Sequence, residues 1–165
     1  MKTADGRWHG AAWQPWAGLF LGLLLALSAA PAWAVLGQQV QSVTVDRARL
    51  GGRLRQVQAR GYTVQVIERG QENAPHLTIR EYVSPQGVVF GVSWHGPHIP
   101  DLQALLGSYY ARFEKAAAAQ RRGRGPLFVR TGDLVVENAG HMRAFHGRAF
   151  VTTLIPHNLS AAVVQ

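Results

Sequence analysis

"HLTIREYVSPQGVVFGVSWHGPHIPDLQALLGSYYARF", residues 76–113, holds the change of hydrophobic period that decides the fold. In "HLTIREYV" Leu77 and Ile79 share one face, as in a half-buried strand. Ser84-Pro85-Gln86-Gly87 carries Pro at the second turn position and Gly at the fourth, the signature of a type I hairpin turn. The strand from Val88 to His95 is therefore expected to run antiparallel to Leu77–Val83. Simple alternation puts Val88, Phe90, Val92 and Trp94 on its core face and Val89, Gly91, Ser93 and His95 on the other. Gly91, lacking a side chain, leaves room for another segment of the chain to pack closely.

From Asp101 the period changes. Leu102, Leu105, Leu106, Tyr109, Tyr110 and Phe113 form the apolar stripe of a helix lying on a sheet. Asp101 is suited to cap it, because its carboxylate can accept the free N–H groups of the first turn. The alanine run 116–119 extends the helix until Gly123 and Gly125 end it. At the corner between strand and helix stand His95, His98 and Asp101, three residues apart. Imidazoles and a carboxylate are donors that zinc or iron accepts, and Pro97 and Pro100 would stiffen the loop. Asp101 is already explained as a cap, and His-x-x-His in a loop is a weaker signal than His-Glu-x-x-His on a helix. The corner thus reads first as architecture, with no cofactor expected. Its rival reading is a zinc or iron centre of a metal-dependent hydrolase.

Outward from this stretch the strand pattern recurs. Tyr62 to Glu68 alternates, as do 127–130 and 134–138. "GHMRAFHGRAFVTTL", residues 140–154, contains the tandem Arg143-Ala144-Phe145 and Arg148-Ala149-Phe150. A five-residue repeat in an unbroken strand sends Phe145 and Phe150 to opposite faces. Gly147 offers a bulge that would restore them to one face, or a tight turn with His146. Residues 37–45 alternate weakly, as a short strand or an ordered arm. "DRARLGGRLRQVQARG", residues 46–61, reads as a loop or a helix broken at Gly51-Gly52. The whole is expected to be one α+β domain, residues 35–165, with a mainly antiparallel sheet covered on one face by the helix from Asp101 to Ala119.

Residues 1–34 read as a cleaved secretory signal: Lys2 and Arg7, an apolar run from Ala17 to Leu27, and Ala32-Trp33-Ala34 as the small-x-small cleavage site. The competing reading is a retained membrane anchor, because the apolar stretch from Trp16 to Leu36 approaches the ~20 residues that span a bilayer. The chain has no cysteine, which excludes a disulfide, a lipid-modified cysteine and a thiol nucleophile, so an exported domain must be held by its core alone. Removing the first 34 residues takes away Lys2, Arg7 and Asp5, leaving fifteen basic residues against eight acidic ones, all but Lys115 arginine. Such a balance either keeps the protein soluble or points to an anionic partner. Arg47, Arg49, Arg53, Arg55 and Arg60, with Arg121, Arg122 and Arg124, could merge into one anion- or partner-binding surface. Tyr82 and Tyr110, at the edges of their stripes, are candidates for its contacts. Export makes nucleic acid an unlikely partner, and the membrane is met only through the signal segment.

Other chemistry finds little support. No Gly-x-Ser-x-Gly elbow exists, and Gly51-Gly52 and Gly123-x-Gly125 match no phosphate-binding loop. His141, His146 and His157 stand at expected turns and could join a site only through the fold. Glu68, Glu81, Asp133 and Glu137 are candidates for paired carboxylates, but alternation is expected to expose most of them.

At "REYVSPQGVVFGVSWHGPHIPDLQALLGSYY" and "DLVVENAGHMRAFHGRAF" the sequence resembles the bacterial exported family known as domain of unknown function 2844. The resemblance rests on a Tyr-Val-Ser-Pro-x-Gly hairpin followed by Trp-x-Gly-Pro, Pro-Asp-Leu and Leu-Leu-Gly. It implies a Gram-negative periplasmic or secreted protein and supplies no catalytic residue, substrate or cofactor. The expected function is a non-catalytic binding or accessory module that meets an envelope component or partner protein through its arginine-rich surface.

Overall fold

The computed structural model describes residues 36–40, 53–70, 76–120 and 125–165. The expected signal segment, Gly51-Gly52 and Arg47, Arg49, Arg121, Arg122 and Arg124 lie outside the described residues. Seven strands follow in chain order: β1 (Arg53–Ala59), β2 (Tyr62–Arg69), β3 (Leu77–Val83), β4 (Val89–Gly96), β5 (Leu127–Thr131), β6 (Leu134–His141) and β7 (Ala144–Val151). They form one sheet in the order β1-β2-β3-β4-β7-β6-β5, and every described pairing is antiparallel. Between β4 and β5 come α1 (Leu102–Leu106), a 3-10 turn (Gly107–Tyr109) and α2 (Tyr110–Ala119). The expected arrangement, an antiparallel sheet with a helix on one face, is present. By residue count it is mostly sheet, so α+β describes it only roughly.

The β3–β4 hairpin closes as the turn chemistry requires. Gly87 N–H donates to Ser84 O at 2.9 Å, Ser84 N–H donates to Val88 O at 2.8 Å, and Gly87 has φ 81°, a conformation open to glycine at no steric cost. Residues 36–40 run beside this hairpin as an ordered arm: Gly37 N–H donates to Val89 O and Val89 N–H to Gln38 O, at 2.8 and 3.0 Å. Asp101 caps α1, its Oδ1 accepting from Gln103 N–H at 2.9 Å and Ala104 N–H at 3.2 Å. Leu105, Leu106 and Phe113 then enter the core against Ile79, Val92, Trp94, Val129, Val136 and Ala149. Each such leucine contributes about 1.5–3 kcal/mol by leaving water.

Three expectations change. Residues 53–59, expected as loop or broken helix, form edge strand β1. Paired on one side only and largely exposed, it needs no apolar period, and its arginines suit an open sheet edge. In β4 the alternation breaks: Tyr82 pairs with Gly91 while Val83 pairs with Val89, so Phe90 is the extra residue of a bulge. Val92 and Trp94 face the helices as alternation expects, but Val89 does too, while Phe90 joins Tyr82, Val135, Phe150 and Val164 on the opposite side. Finally, Gly147 makes neither bulge nor turn. The hairpin turn is Met142-Arg143, between the paired His141 and Ala144, and Phe145 and Phe150 lie on opposite faces of an unbroken β7. Gly147 is there for another reason: a Cβ on it would lie 2.4 Å from Trp94 Cζ2 and 2.5 Å from Glu137 O. The absent side chain admits the indole, whose Nε1–H donates to Asn138 Oδ1 at 3.2 Å.

Candidate functional site

The register of the sheet sorts the side chains of the face away from the helices into three rows. One runs Arg53, Glu68, Thr78, His95, His146, Ala139. The next runs Arg55, Val66, Arg80, Ser93, Arg148, Glu137, Phe128, and the third Val57, Val64, Tyr82, Gly91, Phe150, Val135, Arg130. The middle of the third row is covered, while Val57 and Arg130 at its ends stay exposed. After β7 the chain turns through two 3-10 segments (Thr152–Leu154 and Ala161–Val163) and brings Val164 onto Phe90, Phe150 and Val135. A Cβ on Gly91 would sit 2.6 Å from Val164 Cγ2, so the expected close packing at Gly91 is supplied by this segment.

The other two rows stay open over the middle of the sheet, forming a groove of about 530 Å³ lined by Thr78, Arg80, Ser93, His95, His146 and Arg148 among others. Gln165 closes one end. Its carbonyl oxygen accepts from the Tyr82 hydroxyl, from Ser93 Oγ at 3.0 Å and from Arg80 Nη1 at 3.4 Å, and its N–H donates to Tyr82 Oη at 3.0 Å. Arg148 is held as a fork: Nε donates to Glu137 Oε2 at 2.7 Å and Nη2 to Oε1 at 3.0 Å, while Nη1 donates to Val164 O at 3.1 Å. The Glu137 carboxylate pushes the Arg148 pKa above its ordinary value, so that guanidinium keeps its charge. On the open face Arg53, Arg55, Arg80, Arg130 and Arg148 stand against Glu68 and Glu137, which makes the surface basic.

Of the expected arginine surface, Arg53 and Arg55 lie on this face, and Arg60 lies in the exposed turn between β1 and β2. Tyr82 is not a surface contact: it is 3% exposed, packed beside Tyr62 and Phe90, because its hydroxyl anchors Gln165. Tyr110 is half-buried on α2 beside Phe113, its hydroxyl 3.5 Å from Glu114 Oε1. His95, His98 and Asp101 are not brought together. His95 points from the face opposite the helices, His98 is exposed in the following loop, and Asp101 Oδ1 is engaged by two backbone N–H groups. Among the described residues no three His, Asp or Glu side chains converge as metal ligands would.

Periodicity alone does not pick out Arg80, Arg148, Ser93 and His146. Each is ordinary within its own strand, and the register across β3, β4 and β7 is what aligns them. His146 is masked in the sequence by the ambiguity at Gly147.

Glu81, one of four carboxylates most of which are expected to be exposed, is 1% exposed. It alternates with Ile79 and Val83 on the helix-facing side of β3 and stands across from Gln65 of β2. Among the described residues neither Glu81 oxygen nor Gln65 Oε1 has a hydrogen-bond partner. Burial, which disfavours the charged form, pushes the Glu81 pKa up to about 8.

The chain belongs to the family described as protein of unknown function (DUF2844), whose family model matches residues 32–164. Among curated proteins nothing matches it, and among solved structures nothing matches it.

Proposed function

We propose that the protein is a non-catalytic binding module of the bacterial envelope, periplasmic or secreted, whose open sheet face holds an extended anionic ligand. The observation that carries this reading is the row Arg55, Arg80, Arg148, in which every second strand of five presents an arginine. Neighbouring strands lie about 4.8 Å apart, so the guanidinium stems recur roughly every 10 Å across the strands. A line of charges at that interval suits an elongated polyanion better than a compact phosphate, which a single arginine fork or backbone nest would hold. The small-x-small cleavage signature before Val35 supports export, where acidic polysaccharide is an abundant ligand of this chemistry. Arg53 and Arg130, on the flanking rows, extend the same field.

The test is binding of a linear acidic polysaccharide, compared with anionic-lipid vesicles, between roughly 0.05 and 1 M salt, over which the Debye length falls from more than about 10 Å to about 3 Å. Arg55→Gln and Arg80→Gln remove charge without disturbing the Arg148–Glu137 pair. The expected result is polysaccharide binding that weakens steeply with salt and further in each variant. Affinity that is flat across ionic strength, or equal in parent and variants, refutes the reading. Preference for the vesicles would reassign the ligand to a lipid surface.

A further inference from the structure

β4 and β7 join the β1–β4 meander to the β5–β7 meander. Across that seam His95 stands directly opposite His146. Directly opposed residues of an antiparallel pair on one face have Cβ atoms about 4.5–5.5 Å apart. Both imidazoles are exposed and line the same groove. Thr78 and Ala139 flank them in the row, and these small side chains leave the rings room to turn toward each other. Among the described residues neither ring is committed to a hydrogen bond or an ion pair, so each keeps a nitrogen lone pair to offer.

We propose that His95 and His146 form a two-imidazole site for a divalent transition-metal ion of the zinc or copper type, stapled across the seam between β4 and β7. Imidazole is a preferred donor for these ions, with metal–nitrogen distances near about 2.0–2.1 Å. Rings on adjacent strands can converge to that distance by side-chain rotation alone. The charges that would oppose a cation sit one row away: Arg148 is paired with Glu137, and Arg80 reaches toward the Gln165 carbonyl. With two protein ligands the ion keeps open positions toward the groove, where water or an anionic group of a bound ligand completes its coordination. Neither ring has the carboxylate or carbonyl partner that usually orients a metal-bound histidine, so the site fills and empties with metal supply and is not a permanent structural centre. The proposal stands independently of the anion-binding reading.

The test uses the full chain purified without added histidines, titrated with Zn(II) by calorimetry and with Cu(II) by electron paramagnetic resonance. The parent is expected to bind one equivalent, with nitrogen hyperfine structure from two imidazoles, and its melting temperature should rise with Zn(II) because the ion binds only the paired strands. His95→Ala and His146→Ala should each weaken binding by at least about tenfold and abolish the melting shift, while His98→Ala and His141→Ala change neither. His95→Gln and His146→Gln repeat the measurement with side chains of similar size. Undiminished binding in either His95 or His146 variant, or loss in His98→Ala instead, overturns the proposal.

Discussion

Glu81→Gln should remove a pH dependence of stability that the buried carboxyl imposes on the whole domain. The group's ordinary value is 4.5 and burial raises it to about 8, so the folded state holds a proton that the unfolded chain releases. The sign follows from linkage: stability is undiminished below about pH 4.5 and falls as pH rises between the two values. The steepest slope is about 1.4 kcal/mol per pH unit, and the loss levels off above about pH 8. The full difference is on the order of 5 kcal/mol, an upper figure because local opening lets water reach a charged Glu81 before the fold is lost. Gln65 stands directly across the strand pair, but neither its Oε1 nor either Glu81 oxygen has a hydrogen-bond partner among the described residues. Glu81→Gln keeps the size of the side chain without titrating. Urea denaturation at one-unit steps from about pH 5 to 9 should give a parent whose midpoint falls through that window and a Glu81→Gln variant whose midpoint falls much less. Above about pH 8 the variant should be the more stable of the two. Parallel profiles for the two proteins would refute the reasoning, because they would mean that Glu81 does not change protonation in this range.

Gly147→Ala would set a Cβ within 2.4 Å of the Trp94 ring and 2.5 Å of a strand carbonyl. Neither neighbour can yield cheaply, so a loss of about 3 kcal/mol in denaturant unfolding is expected, with a change in Trp fluorescence. Asp101→Ala removes the cap of α1 and should lower stability by about 1 kcal/mol while leaving metal uptake unchanged, which separates the corner's architecture from the proposed two-histidine site. The salt response of Arg55→Gln and Arg80→Gln, and the loss of metal in His95→Ala and His146→Ala, test the two sides of the groove's chemistry.

What can be read from the sequence is what depends on local chemistry. The Ser84-Pro85-Gln86-Gly87 turn, the Asp101 cap and the stripe from Leu102 to Phe113 all act within a few residues, and the structure places each as its pattern implies. The sequence misleads where the determinant lies elsewhere in the chain. The bulge at Phe90 shifts the phase at the start of β4, so simple alternation misplaces Val89 and Phe90 while Gly91, Val92, Ser93, Trp94 and His95 keep their expected faces. β1 carries no apolar period because an exposed edge requires none. The bulge and the turn that Gly147 suggests are both local explanations, whereas its cause is the Trp94 ring on a neighbouring strand. The groove is illegible for the same reason: its row of arginines and its histidine pair exist only in the register between strands.

The residues that carry the family resemblance mostly have structural roles. Ser84 and Gly87 close a hairpin. Trp94 fills the space above Gly147. A Cβ on Gly96 would lie 2.8 Å from Leu77 Cα, and Asp101, Leu105 and Leu106 begin the helix and bury it. Even Tyr82, which looks like a binding residue, holds Gln165 down on the sheet. A motif made of such parts fixes a platform and the direction in which its open face points. Of the face residues, Arg80 and His95 lie within the first of the two resembling stretches, His146 and Arg148 within the second, and Arg55 outside both. Exchanging them for neutral residues therefore tests the proposed anion- and metal-binding readings while leaving the hairpin turn and the helix cap in place.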